Sequence, residues 1–302
     1  MKRTEPFEFY QPATLAEASR LLKENGPGGR FLAGGTDLVI AMKEKGLLPK
    51  YIVDLKRVPG LSGIRENNDG TVTIGALTTM YAIETSPVVT KKYPFLAQSA
   101  AEVGSIQIRN RATIGGNMAN ATPSADVAPS LIALNATAKI ASCSVERTVP
   151  LEEFFRGPGQ SVMDADEILT EITIPKTGPQ LVGEYIKFSP RDMMDLAYIG
   201  VAVAYNLASD KKCSGVRLVL GAVAPTPIRA KNSEALLEGK VLTEELATQV
   251  GDQAALESKP ISDVRSSADY RRAMVAVMTK RAILNAAVGP AKSWVDRRDR
   301  RY

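Results

Sequence analysis

The sequence predicts an α+β protein built in two parts, and three observations carry that prediction. A strand, a two-glycine turn, a helix and a second strand follow one another over residues 31–55. A second glycine pair, in Thr113-Ile114-Gly115-Gly116-Asn117, falls in a stretch that mixes short strands with short helices. The C-terminal part reads as three strands followed by three helices, an order that implies an antiparallel sheet with its helices on one face.

Taken in chain order, Thr14-Leu15-Ala16-Glu17 is a capping box that opens a helix with apolar positions Leu15, Ala18, Leu21 and Leu22, closed by Asn25-Gly26. Phe31-Leu32 ends a short apolar strand, Gly34-Gly35 turns the chain, and Thr36 or Asp37 caps a helix over 38–45 that stops at Gly46. A strand over 51–55 completes a first lobe, residues 1–57. The second lobe, 58–176, begins at Pro59-Gly60. It contains a strand over 71–74, helices over 94–103 and 125–134, and a strand over 168–174 ended by Pro175. Lys176-Thr177-Gly178-Pro179 marks the boundary to a second domain, 180–288. There, strands over 183–189, 199–207 and 216–223, the last two joined by a polar turn, precede helices over 232–238, 244–257 and 268–288. Residues 289–302 form an arginine-rich tail, read as a solvated extension or a docking arm.

The two glycine segments carry the functional reading. Glycine tolerates unusual dihedrals and lets an oxygen approach the main chain, so a strand–glycine–helix turn aims several N–H groups at one point near a helix N-terminus. One such segment is equally a plain strand-to-helix turn. Two of them, the second followed by Ser124-Ala125-Asp126 as a helix-capping cluster, suit one long ligand with a pyrophosphate. The G-x-G-x-x-G fingerprint and the Walker loop are both missing.

Composition narrows the chemistry. The 302 residues contain no histidine and two cysteines, Cys143 and Cys213, so neither a zinc site nor an iron–sulfur cluster can be completed from the usual ligands. Ser-His-Asp and Cys-His systems are excluded too, and no catalytic side chain or metal ligand is assigned. Both cysteines are expected to be plain thiols. A content of 44% apolar residues supplies a core, and no run is long enough to cross a bilayer. The polar N-terminus does not read as a leader, and a cytoplasmic protein is expected. The net charge of +5 is spread among 33 acids with few aromatics, which argues against nucleic acid. A bound cofactor must then carry the reaction.

The segments AGGTDL (33–38), QIRNRATIGGN (107–117) and SADVAP (124–129), with IKF (186–188) and DLAYIGVAVAY (195–205) further on, resemble the FAD-binding subunit of the xanthine dehydrogenase and carbon monoxide dehydrogenase family of molybdenum hydroxylases. The resemblance spans nearly the whole chain. It implies a two-lobed FAD-binding domain of the PCMH or vanillyl-alcohol-oxidase type over 1–176. An α+β C-terminal domain with a three-stranded antiparallel sheet would follow over 180–288. By resemblance, Phe31, Leu32, Ala33, Gly34, Gly35, Thr36, Asp37 and Leu38 form one loop around the FAD pyrophosphate. Thr113, Ile114, Gly115, Gly116 and Asn117 form the other, with Asp126 on the ribose or adenine side. Val103 would lie against the flavin ring, Leu169 would pack on the cofactor, and Lys187 would contact it from the C-terminal domain. Ala112 departs from the family, where glycine is common, and puts the geometry of 109–113 in question.

The implied function is electron transfer. A large molybdopterin subunit would oxidise the substrate, a small subunit would carry two [2Fe–2S] clusters, and FAD here would pass electrons to an external acceptor such as NAD⁺, a quinone, ferredoxin or dioxygen. The assembly would be a heterotrimer, single or doubled. The alternative is a stand-alone FAD-dependent oxidoreductase with its own small substrate. Other residues admit both a functional and a packing reading: Asp37 as ligand contact or helix cap, with the cap preferred; Tyr198 near the flavin or as packing; Met193-Met194 as a partner surface or packing; and Arg191, Asp192 and Asp195 as steering charges or a solvated turn.

Overall fold

The computed structural model describes residues 5–191 and 194–289. The N-terminal segment alternates strand and helix: β1 (Glu8–Tyr10), α1 (Leu15–Asn25), β2 (Gly29–Leu32), α2 (Leu38–Glu44) and β3 (Tyr51–Asp54). The strands form a parallel sheet in the order β1-β3-β2. The Thr14 hydroxyl accepts from the Glu17 amide at 3.2 Å and the Glu17 carboxylate accepts from the Ala13 amide at 3.0 Å, so both ends of the predicted box are in use. Ala18 and Leu22 of α1 bury against Tyr51, Val53 and Leu55.

The middle of the chain runs β4 (Ile64–Glu66), β5 (Val72–Gly75), α3 (Met80–Thr85), α4 (Pro87–Lys92), α5 (Pro94–Ala101), α6 (Ile106–Arg109), α7 (Ile114–Ala119), α8 (Val127–Ala133), β6 (Thr137–Ala141), β7 (Glu146–Pro150), β8 (Phe155–Gly157), β9 (Gln160–Ser161) and β10 (Ile168–Ile174). Five of these strands make an antiparallel sheet, β4-β5-β10-β6-β7, whose apolar residues Ile74, Ile140 and Ile172 share one core with Met80, Leu96, Ile114, Met118 and Leu131 of the helices. The strand predicted over 168–174 is β10, the middle of this sheet. The flanking β4, β6 and β7 are short, and β7 alternates exposed with half-buried residues, so they give little hydrophobic signal.

The C-terminal part holds β11 (Leu181–Phe188), β12 (Ile199–Leu207), β13 (Cys213–Gly221), β14 (Ile228–Arg229), α9 (Lys231–Leu237), α10 (Glu244–Glu257) and α11 (Ala268–Val288). The sheet is antiparallel as predicted, and a fourth strand of two residues, β14, extends it beside β13. Side chains alternate between two cores. Val201, Val203, Leu218 and Leu220 pack with α9, α10 and α11, whereas Ala202, Ala204 and Val219 join the central core. The second face is closed by α5 and α8. A Cβ at Gly183 would stand 2.5 Å from the Phe95 ring, and one at Gly221 would stand 2.8 Å from Pro129. Helices of this part cover one face because the other is already covered.

Among the described residues, no helix is long and apolar enough to cross a membrane. Asp192, Met193 and the expected tail beyond Gly289 lie outside the described residues.

Candidate functional site

Loop 33–37 leaves the parallel sheet at Leu32 and enters α2. Neither Thr36 nor Asp37 caps this helix with its side chain, contrary to expectation. Asp37 occupies the cap position with helical dihedrals (φ −95°, ψ −42°) that carry its carboxylate away from the amides it would bind, and it makes no side-chain cap bond. With Gly35 in the left-handed region at φ +78°, the N–H groups of Gly34, Gly35, Thr36 and Asp37 meet no acceptor among the described residues. Such a run of open donors suits an anion.

Segment 113–117 is built differently, and the expectation of a second nest of open donors is corrected. Thr113 caps α7, its hydroxyl accepting from the Gly116 amide at 3.1 Å. The amides of Ile114, Gly115 and Asn117 donate to Thr78 O, Ala76 O and Thr113 O at 3.0, 2.8 and 3.0 Å. Four of the five amides are thus occupied, two of them by carbonyls of the link between β5 and α3, and the Thr113 N–H alone meets no acceptor among the described residues. A side-chain atom stays open too: Asn117 Oδ1 is buried without a partner. Ala112, the family departure, has no left-handed dihedral; its amide donates to Ile108 O at 2.7 Å, so the methyl fits.

The two segments interlock. A Cβ at Gly34 would fall 2.0 Å from Arg111 O, and one at Gly116 would approach Ala33 to 3.9 Å. Between them lies a cavity of about 170 Å³ lined by Ala33, Gly34, Lys56, Thr79, Arg111 and Thr113. Lys56 Nζ reaches Asp54 Oδ1 at 2.6 Å and Ala33 O at 3.3 Å. Burial works against the charge on Asp54, but hydrogen bonds from Lys56 and Gln11 outweigh it and hold the carboxyl below its usual range. Sequence reasoning missed Lys56 and Arg111, although both flank assigned elements, Lys56 just after β3 and Arg111 two residues before Thr113. Open amides, two cationic side chains and a glycine that only a close approach explains together fit the diphosphate of a dinucleotide, while the orphaned Asn117 oxygen, an acceptor, suits a hydroxyl of such a ligand rather than its phosphates. A larger cavity of about 510 Å³ lies between α1 and the β6–β7 hairpin; its wall carries Lys139, Glu146 and Glu171, and none of the assigned residues line it. Chemistry, not volume, selects the smaller one.

Of the remaining assigned residues, Asp126, Val103 and Lys187 lie toward the C-terminal sheet, and Leu169 lies in β10 of the central one. Asp126 was expected in a capping cluster, but its helical dihedrals leave α8 without a side-chain cap bond. Its carboxylate instead accepts from Tyr185 Oη and Lys187 Nζ, each at 3.0 Å. Burial pushes Asp126 up to about 6 against the pull of Lys187 and Tyr185. The Tyr185 hydroxyl is raised well above its usual range, by burial first and by Asp126 second. Lys187 also donates to Glu102 O at 3.0 Å, next to half-buried Val103. Leu169 is 5% exposed, a side chain of the central core.

Tyr198 is in packing contact, its ring beside Phe188 and beneath the Arg271 guanidinium at 5.4 Å. Arg191 pairs with Asp195 at 3.2 Å in an exposed turn. Cys143 and Cys213 are free thiols, and burial raises the latter to about 11. No group of three or more potential ligands placed to hold a metal occurs among the described residues.

Residues 5–177 match the family described as the FAD binding domain in molybdopterin dehydrogenase, and residues 184–286 match the CO dehydrogenase flavoprotein C-terminal domain. The carbon monoxide dehydrogenase medium chain of Hydrogenophaga pseudoflava is 36% identical over 281 residues, covering 93% of this chain and 96% of that one. A putative xanthine dehydrogenase FAD-binding subunit of Escherichia coli K12 is 33% identical over 279 residues, covering 92% and 95%. The solved carbon monoxide dehydrogenase of H. pseudoflava that lacks the Mo-pyranopterin moiety contains a chain that superposes with a TM-score of 0.90 at 36% identity, covering 95% of this chain and 98% of that one. With both halves matched and relatives aligned over almost their full length, the chain belongs to the FAD-binding medium subunits of the carbon monoxide and xanthine dehydrogenase family of molybdenum-dependent oxidoreductases.

Proposed function

We propose that this chain is the electron-transfer station of a molybdenum-dependent dehydrogenase or hydroxylase, receiving electrons from the [2Fe–2S] clusters of a small partner subunit and delivering them to an external acceptor. A large molybdopterin subunit would select and oxidise the substrate, in a heterotrimer or a pair of heterotrimers in the cytoplasm. When bound, FAD supplies the one- and two-electron chemistry. The observation that carries this reading is the loop 33–37 with its open amides, whose Ala33 and Gly34 line one cavity with Lys56 and Arg111, in a chain without histidine.

In this reading Gly34 to Asp37 bind the diphosphate through their amides, while Phe31, Leu32, Ala33 and Leu38 shape the loop that carries them. Lys56 and Arg111 neutralise the diphosphate. Segment 113–117 forms the opposing wall and offers Asn117 Oδ1. Asp126 and Lys187, paired with each other, close the far end of the site, with Val103 and Leu169 against the ring. We take residues 1–176 as the binding domain and 180–288 as the domain that closes over it.

The test is native purification with identification of co-purifying chains, an absorption spectrum and metal analysis. Flavin bands at about 375 and 450 nm, with iron, molybdenum and two partner chains, are the expected outcome. Flavin in a lone, active, metal-free chain would instead establish the stand-alone oxidoreductase.

A further inference from the structure

Three consecutive carbonyl groups after α5 are each held by a donor from a different part of the molecule. Glu102 O accepts from Lys187 Nζ at 3.0 Å, Val103 O from a guanidinium N–H of Arg109 at 3.5 Å, and Gly104 O from the Met194 amide at 3.4 Å. Gly104 sits at φ +54°, and a Cβ there would stand 2.9 Å from Ile108, so the turn is narrow as well as tethered. Arg109 is itself fixed: its Nε donates to Glu84 at 2.8 Å, and the two side chains are 9% and 2% exposed. A buried ion pair contributes little net stability, because desolvation offsets the attraction, yet it holds a side chain in one geometry. Here that geometry directs a second N–H of the same guanidinium at the Val103 carbonyl.

We propose that Arg109, anchored by Glu84, is a positioning residue for the flavin, holding the 102–104 turn so that Val103 meets the ring while Arg109 itself stays off the cofactor. The inference rests on the reading of Val103 as the residue against the flavin. Lysine separates the two tasks of Arg109: its compact ammonium keeps the ion pair with Glu84, whereas the guanidinium fork that also reaches the carbonyl is lost.

The experiment uses the full-length chain in the assembly with which it purifies, as wild type, Arg109→Lys, Val103→Ala and the double variant. The readouts are FAD stoichiometry, FAD Kd and the visible circular dichroism of the bound flavin. Arg109→Lys is expected to bind one FAD per chain with Kd raised about tenfold and an altered visible signal, and to change Kd less than about twofold in the Val103→Ala background, because the two act in series. Additive effects in the double variant, or an Arg109→Lys protein with unchanged Kd and flavin signal, would overturn the proposal. Should Arg109→Lys fail to fold, Glu84→Gln loosens the same anchor, and an unchanged flavin signal there overturns it equally. A folded wild type that takes up no FAD brings down the reading of the site together with this inference, whereas a wild type that binds FAD beside unaltered variants brings down this inference alone.

Discussion

Loop 33–37 and segment 113–117 both place a glycine pair next to polar residues before a helix, yet their amides meet different fates. In the first, four successive N–H groups stand open. In the second, carbonyls of Ala76, Thr78 and Thr113 and the Thr113 hydroxyl take four of the five amides and leave only that of Thr113. The difference comes from what surrounds each turn. The first leaves the edge strand of a three-stranded sheet, while the second is pressed against the link between β5 and α3, where Gly115 leaves a Cβ position only 2.6 Å from Ala76 Cβ. A glycine pair therefore signals that something comes close to the backbone, and the fold decides whether that is a ligand or another strand.

The largest effect is expected of Gly34→Ala. Its methyl would fall 2.0 Å from the Arg111 carbonyl, a backbone atom that cannot swing aside. The two segments must part, at a cost of about 3 kcal/mol, the upper part of the usual range for overpacking. FAD binding should be lost as well, since cavity and open donors are displaced together; denaturant titration and FAD titration read the two effects. Gly115→Ala should behave differently. The clash with Ala76 strains the wall, so we expect about 2 kcal/mol of destabilisation in the cofactor-free protein, with folded molecules keeping most of their affinity for FAD. An affinity loss matching that of Gly34→Ala would erase the distinction between donor loop and wall.

Asp126 extends the contrast to the third assigned motif, which is tied to Tyr185 and Lys187 rather than to its own helix. Its carboxyl, raised by burial to about 6, keeps its proton in the folded chain at pH values where an unfolded carboxylate, with a pKa of about 3.9, has lost it. The folded state thus binds more protons than the unfolded one between about pH 4 and 6, and from this group alone stability falls with rising pH by at most about 1.4 kcal/mol per pH unit across that window. Asp126→Asn removes the slope. The stability of wild type relative to the variant should grow as pH is lowered from 7 to 5, and a flat difference would show that the carboxyl titrates normally.

The long periodic elements were legible in the chain: β10, β12, α10 and α11 occupy the residues expected of them, because each carries its own hydrophobic period or capping residue. Less legible were the parts whose partners lie far away in sequence. Whether the amides of 113–117 are open depends on Ala76 and Thr78, and whether Asp126 caps α8 depends on Tyr185 and Lys187 in β11. Lys56 and Arg111 gain their place only when β3 and the end of α6 meet across one cavity. Local pattern predicts the scaffold; charge pairing across elements is a property of the fold.

The smallest predicted change in stability tests the division of labour most directly. Asn117 Oδ1 is a buried acceptor without a partner, and such an atom costs about 1–3 kcal/mol when nothing replaces the water it gave up. Its truncation therefore removes a penalty rather than a bond in the cofactor-free protein, and Asn117→Ala should leave stability unchanged or raise it slightly. FAD binding should move in the opposite direction, weakened about tenfold by loss of one hydrogen bond formed only with ligand present. A side chain serving the wall alone would show the reverse pattern, with stability lost and affinity kept. Thermal melting without FAD and a binding isotherm with it tell the two apart, and they do so at the position of this segment where the structure leaves a buried side-chain acceptor unanswered.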